Sequence, residues 1–305
     1  AGAISGTGFL TKAGSGTLLT TGANTYSGAT IVAQGQLKAG AVNTLSPASV
    51  ITVNQGATLD LAGHSQRIAG MNLAGVVSLP GASPGASLTV TGPWVGNGGV
   101  LRVGTVNLAA SQADTDRVIL DGANAVASGS TYVQIDKITG LGQPTSGQGV
   151  ALFTAMNGAS IQDQAFVLAG DHIDAGAYQY RLNSAGGMGF LSSASPSGAT
   201  YYRAEASQLV AMPAQLRQAS LIMLGNMNLR AGGEEVQSGG DGSSETGESS
   251  AGGRRAWARA LATDVSIHQS GTVSPTSHGT LSGFQTGSDL FRISRFRAGI
   301  YGGHL

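Results

Sequence analysis

A mostly β chain of stacked short strands, broken once by a helix, is the fold class that this sequence predicts. Three observations predict it. From residue 1 to about 110, short runs alternate apolar and small polar residues between Gly or Asn boundaries, the pattern of strands joined by tight turns. Glycine numbers 49 and charged residues reach only 10%, whereas an ordinary soluble domain has about 7% Gly and about 25% charge; the 41% hydrophobic content argues against disorder. The alternation gives way to helical spacing between residues 201 and 230 and resumes after residue 254.

The first elements are the runs Phe9 to Leu18, Gly22 to Val32, Gly35 to Gly40, Ser49 to Val53 and Gly56 to Leu61. Their shared core is Gly-x-Leu or Gly-x-x-Leu. A loosely repeated strand-turn unit points to a solenoid, in which each rung buries its apolar face on its neighbours. Residues 114 to 193 continue the theme with Asp114–Leu120, Thr131–Ile135 and Val150–Phe153 as strands. From Pro213 onward, Leu216, Ser220, Met223, Leu224 and Met227 fall at i, i+3, i+4 and i+7, which predicts a helix; Pro213 suits its first turn or a kink. Residues 231–253 are Gly, Ser and five acids from Glu234 to Glu248, the composition of a solvated linker. Three alternating segments follow, Trp257 to Ile267, Gly279 to Phe291 and Arg295 to His304.

Composition also excludes function classes. Lys and Arg together balance Asp and Glu at 16 each, so no basic excess suggests nucleic acid. Cysteine is absent, which removes disulfides, thiol nucleophiles and thiolate metal sites. No apolar run reaches the roughly 18 residues of a membrane helix, although the weak alternation of a membrane strand remains compatible. The chain begins at Ala1 rather than Met and reads as a processed or excised piece.

Sequence strings carry a family resemblance. Lys12 to Leu18 with Gly22 to Thr30 resembles the autotransporter-associated β-strand repeat, and Leu79-Pro80-Gly81-Ala82-Ser83-Pro84-Gly85-Ala86-Ser87-Leu88-Thr89-Val90 resembles the passage that follows such repeats. Asp174 to Leu182, then Gly189-Phe190-Leu191, resembles the end of pertactin-like passengers, with Phe190 where that family often has Trp. Trp257-Ala258-Arg259-Ala260, Gly283 to Phe291 and Phe296 to Gly303 resemble the opening strands of the autotransporter β-barrel.

The resemblance implies a right-handed parallel β-helix over 1–113, a C-terminal autochaperone cap over 114–193, a linker helix within 194–230 and a flexible linker over 231–253. It also implies the first strands of an incomplete outer-membrane barrel over 254–305. The barrel reads as truncated, because bacterial barrels close with eight or more strands and three leave an edge that lipid cannot satisfy. The implied role is export, folding and surface display of an upstream passenger, an adhesin or another virulence factor. The implied partners are outer-membrane lipid, the barrel-assembly machinery, periplasmic chaperones and a host-surface ligand. Tyr178, Tyr180, Leu182 and Phe190 are the folding and export candidates. Some relatives release the passenger at an Asn in or near the linker helix, which singles out Asn226 and Asn228; the plainer reading is two polar residues facing a barrel lumen.

An enzyme is the rival reading. Glycoside hydrolysis uses two carboxylates about 5–10 Å apart, and Asp60 stands alone in the first 113 residues. Seven Asp lie between Asp114 and Asp174, so the pair Asp114/Asp116 and the cluster Asp171-His172-Ile173-Asp174 are the places to look for paired carboxylates or a metal. Gly81-Ala82-Ser83-Pro84-Gly85 matches the esterase elbow in letters only, since the elbow needs the N–H after the serine and Pro84 has none. His64, His172, His268, His278 and His304 are dispersed. No cofactor fingerprint occurs, so the segment is expected to be non-enzymatic, with any protease or carbohydrate-active domain lying upstream.

Overall fold

The computed structural model describes residues 2–105, 115–136, 142–195, 197–236, 256–270, 273, 276–293 and 296–304. Asp114 and the linker residues 237–253 lie outside them. The chain divides into two compact units, Ala1–Arg203 and Ala204–Leu305.

The first unit is β throughout. In chain order its strands are β1 (Leu10–Lys12), β2 (Thr17–Thr20), β3 (Thr30–Val32), β4 (Gln36–Ala39), β5 (Val50–Val53), β6 (Thr58–Asp60), β7 (Gln66–Ile68), β8 (Gly70–Leu73), β9 (Val76–Ser78) and β10 (Ser87–Val90). Then follow β11 (Trp94–Gly104), β12 (Arg117–Asp121), β13 (Val126–Asp136), β14 (Val150–Met156), β15 (Ser160–Ile161), β16 (Phe166–Leu168), β17 (Ile173–Ala175), β18 (Tyr178–Ala185) and β19 (Met188–Ser192).

Up to β16 every strand pair is parallel, and the strands stack in three columns. One column is β1, β3, β5, β8 and the first part of β11. The second is β2, β4, β6, β9 and the last part of β11. The long strand β13 extends both, and β15 and β16 end them. The third column is β7, β10, β12 and β14. In the first rungs the chain returns to the same column about every 20 residues. This is a parallel β-solenoid, as the repeated strand-turn units predict.

The Gly-x-Leu pattern now has a physical meaning. Leu18, Leu37, Leu59, Val77, Leu101, Val133 and Leu168 occupy equivalent positions in successive rungs of the second column. Alternation sends each of these side chains inward, and from Leu37 to Val133 they are wholly buried. Each such burial contributes about 1.5–3 kcal/mol. Leu59→Ala is therefore expected to cost about 2–5 kcal/mol, while Leu19→Ala, on a strand face left 48% exposed, should stay within about 0.5 kcal/mol of wild type. Urea titrations of the two variants check this pair.

The first repeat motif is explained by contacts between rungs. The Asn24 side chain accepts from the Ile4 amide at 2.7 Å and donates to the Thr44 carbonyl at 2.6 Å. The Tyr26 hydroxyl meets Thr30 Oγ1 at 2.6 Å, and Thr30 meets Ser49 Oγ at 2.8 Å, all buried. At Gly28 a side chain would collide with the backbone of Gly8 one rung below. The buried Lys12 ammonium donates to the carbonyls of Ala13 at 2.8 Å, Gly14 at 2.6 Å and Gln34 at 3.0 Å. On the outer face of the solenoid, Lys38–Asp60, Arg67–Asp121 and Arg102–Asp136 pair across rungs; solvent screens such pairs, so they add little to stability.

The second unit holds one helix, α1 (Ala204–Val236), and three strands, β20 (Ala256–His268), β21 (Thr276–Ile293) and β22 (Phe296–His304). The helix starts inside the 201–230 stretch expected to be helical and runs past its end. It begins nine residues before Pro213, which lies in its interior, because Ala204, Ala206, Gln208 and Leu209 are good helix formers and Glu205 suits the positive end of the helix dipole. It also runs to Val236, into the stretch read as flexible linker. Asn226 and Asn228 fall on helical backbone near its C-terminal end.

The three strands form an antiparallel meander in the order β20-β21-β22. Leu261, Thr263, Val265 and Ile267 share the half-buried face of β20, and Ala258, Ala260 and Ala262 the exposed one, so the predicted parity holds where side chains are described. The helix lies against the half-buried face: Gln215 Nε2 donates to Ser277 Oγ at 2.8 Å, and Gln285 Nε2 to Met223 Sδ at 3.0 Å. No described helix is long and apolar enough to cross a membrane, which says nothing about crossing by strands.

Candidate functional site

A solenoid of identical rungs would end in an open edge of unpaired amides, a template for unwanted strand pairing. This chain reverses direction instead. β19 pairs antiparallel with β14, β18 pairs antiparallel with β19, and β17 with β18. The third column thus ends in a three-strand antiparallel cap. The sequence makes the reversals locally. Gly186 and Gly187, at φ +59 and +77, form the two-residue turn between Ala185 and Met188, a conformation that hairpins of this length demand and glycine supplies.

The four candidate residues all sit on this cap, on two faces. Tyr178, Tyr180 and Leu182 alternate along one side of β18, and Leu182 pairs with Leu191 of β19. Tyr180 and Leu191 are fully buried in the main core, with Tyr178 and Leu182 packed against it. Phe190 is also buried but pairs with Asn183 and Ala151, on the opposite face of β19 from Leu191. Its apolar contacts are therefore separate from the solenoid interior.

Tyr180 does more than fill space. Its hydroxyl donates to the Gln143 carbonyl and accepts from the Gln143 amide at 2.7 Å. The Gln143 strap continues to Thr145, whose amide donates to Ser193 Oγ at 2.8 Å and whose hydroxyl meets Ser192 Oγ at 3.0 Å. At Gly149 the strap passes so close to the Leu191 carbonyl that a side chain would collide. Downstream, residues 197–203 lie back over the cap. Tyr202 packs on Tyr178 at 5.4 Å between ring centroids, the Arg181 guanidinium sits 5.0 Å over the Tyr201 ring, and the Arg203 amide donates to the Ala177 carbonyl at 3.1 Å.

The cluster Asp171-His172-Ile173-Asp174 serves the same tie. Arg181 pairs with Asp171 at 3.5 Å and Arg203 Nε with Asp174 at 3.3 Å, and each imidazole nitrogen of His172 lies 3.8 Å from one of the two carboxylates. The carboxylates are occupied by guanidinium groups rather than arranged around a cation. Beside the cap, an open cleft of about 620 Å³ has Phe153, Phe166 and Leu182 among its walls, and Gln162, Asp163 and Asn183 at its polar side.

The expected pair Asp114/Asp116 is corrected at Asp116, while Asp114 lies outside the described residues. Asp116 is fully buried; its Oδ1 accepts from the Gly85 and Ala86 amides, both at 2.8 Å, and its Oδ2 from the Gly104 amide at 2.9 Å. Thr105 and Thr115 meet beside it through their hydroxyls at 2.8 Å. The amides of Gly85, Ala86 and Gly104 thus cradle the carboxylate, which is turned into the fold rather than toward a solvent-facing acid pair. Gln143, Thr145, Ser192 and Ser193 went unread, because their partners lie 37 to 48 residues away.

Burial raises the phenol of Tyr180 above its ordinary value of 10.0, against the pull of the Gln143 hydrogen bond; burial raises Tyr26 likewise. A raised phenol contributes stability that is complete below the unfolded value, about pH 10, and is lost as pH climbs through the folded one. Alkaline titration of stability should therefore fall off above about pH 10 and fall off less in Tyr180→Phe; identical profiles would refute the assignment.

Comparison with known proteins matches these features. Residues 71–182 match the family described as Autochaperone Domain Type 1, and residues 10–39 match the Passenger-associated-transport-repeat. The chain is 31% identical over 187 residues to an uncharacterized protein, YuaQ, of Escherichia coli strain K12, covering 61% of this chain and 13% of that protein. It is 34% identical over 113 residues to the probable autotransporter YfaL of the same strain, covering 36% and 9%. It is 34% identical over 193 residues to the adhesin BmaC autotransporter of Brucella suis biovar 1 strain 1330, covering 61% and 5%. The chain therefore spans a small part of the length of each of these relatives. The autochaperone match runs from β8 into β18 and ends before β19; with the stacked repeats and these similarities, it makes the chain similar to passenger regions of type V autotransporters.

Proposed function

We propose that this chain is the stem and translocator segment that lets an upstream passenger leave the cell, fold and remain displayed on its surface. The observation that carries the reading is the sequence of parts: a capped solenoid, then a helix packed on long antiparallel strands. On this reading β20–β22 open an outer-membrane barrel, whose strands alternate residues facing lipid and lumen. Ala258, Ala260, Ala262, Phe284 and Ile300, exposed on this unit, face the lipid. Helix α1, held by Gln215 and Gln285, lies on the lumen side. The chain works at the outer membrane and cell surface, with lipid, the barrel-assembly machinery and periplasmic chaperones as partners.

The cap performs the folding role. A solenoid grows by adding rungs to an existing edge, so a rung completed first at the C-terminal end supplies the edge for the next one to emerge. Folding outside the cell then biases transport outward without ATP. The segment itself carries out no chemistry; the passenger it displays is an adhesin, as the Brucella relative is named, or another virulence factor. In the full-length parent, Tyr180→Ala and Leu182→Asp are expected to lower surface display, read by antibody on intact cells, several-fold more than barrel insertion, read by heat-modifiable mobility. Equal loss of both would contradict this role.

A further inference from the structure

Stacked rungs raise a problem of register. Strands such as Thr58-Leu59-Asp60 and Gln36-Leu37-Lys38 share one in-out pattern, and a slip of two residues preserves which side chains face inward. Apolar burial alone does not forbid it. A buried polar group with directional partners does, because a slip leaves its donors or acceptors unpaired.

Two charged side chains are buried among the described residues, Lys12 and Asp116, and only Asp116 lies inside the autochaperone match. Its three amide donors come from two separate segments. Gly85 and Ala86 lead into β10, and Gly104 ends β11. Asp116 itself begins the register in which Arg117, Val118, Ile119 and Leu120 pair with Ser87, Leu88, Thr89 and Val90. The Arg117 amide donates to the Ala86 carbonyl at 2.9 Å and the Asp116 amide to the Gly104 carbonyl at 2.9 Å, so the two chain ends flanking residues 106–114 are drawn together at this point. A two-residue slip of β12 on β10 would carry the carboxylate away from all three amides.

We infer that Asp116 is the positioning residue that fixes strand register while the autochaperone region folds, by gathering the amides of Gly85, Ala86 and Gly104 onto one carboxylate. The inference rests on the folding role proposed for this region. It assigns Asp116 to the folding transition state: its contacts form before the rungs finish packing, so losing them slows folding more than it speeds unfolding.

The test is refolding of the 305-residue chain in detergent, with the gain and loss of protease resistance of the solenoid followed over time. Asp116→Asn keeps the shape but places an NH2 group among amide donors. It is expected to slow the gain of resistance about tenfold and to change its loss by less than about twofold. Val118→Ala, two residues along the same strand, should show the reverse, faster loss with little change in gain. If Asp116→Asn does not reach the resistant state, Thr105→Val, which removes only the neighbouring hydroxyl pair, should show the same signature at smaller amplitude. Faster loss with unchanged gain in the variants that fold would overturn the inference and leave Asp116 an ordinary stabilising contact. Because this assay needs no export, its failure is distinct from a failure of display in cells.

Discussion

Tyr180→Ala is expected to unfold the cap while leaving the N-terminal rungs stacked. Two losses combine. Removing a fully buried aromatic ring costs about 3–5 kcal/mol through lost burial and the cavity left behind. The Gln143 amide and carbonyl, both satisfied by the hydroxyl, lose their partner at about 1–3 kcal/mol for each group that water does not reach. A domain is held by only about 5–15 kcal/mol, so the sum removes most of it. Tyr180→Phe keeps the ring and loses only the hydroxyl's two bonds to Gln143, so it should cost distinctly less. Limited proteolysis across a urea series separates the cases. The alanine variant should lose protection over 142–192 first, and the phenylalanine variant should shift the midpoint modestly. Equal effects would mean that the ring contributes nothing beyond its hydroxyl.

The second large effect is expected at Trp94. Its ring is fully buried, stands above Met71 and below Ala127 in the first column, lies 5.5 Å from Phe166 and donates through Nε1 to Thr131 at 3.0 Å. Phe166 in turn stacks on Phe153 at 3.9 Å, so this aromatic cluster joins all three columns at one level. Trp94→Ala should cost about 3–5 kcal/mol, and Trp94→Phe distinctly less, since it keeps most of the volume and loses chiefly the Thr131 bond. Urea unfolding followed by circular dichroism measures both. A loss under about 1 kcal/mol in the alanine variant would show that the rungs on either side stand independently.

The sequence made some parts of this architecture legible and hid others for physical reasons. The rung ladder was legible because a period-two pattern bounded by glycine is local, and Leu37 and Leu59 announce their own burial. The cap was legible at Tyr178, Tyr180 and Leu182 through the resemblance of Asp174 to Leu182 to the end of pertactin-like passengers. The two sides of the cap were not: that Phe190 faces away from Leu191's core depends on β14, whose Ala151, 39 positions upstream, is its partner. Polar contacts were the least legible. Asp116 in sequence is one of several acids, and only the fold brings Gly85, Ala86 and Gly104 to it. The end of α1 was missed because Gly232, Gly233 and the acids beyond them read as linker, yet the helix runs to Val236.

On the proposed folding role, the C-terminal cap forms first and seeds the rest of the solenoid. Pulse-labelled hydrogen exchange during refolding of the chain tests it most directly. Protection is predicted to appear first in β12, β14, β18 and β19, then in β8 to β11, and last in β1 to β4. Protection appearing first in β1 to β4, or rising everywhere at one rate, would contradict it.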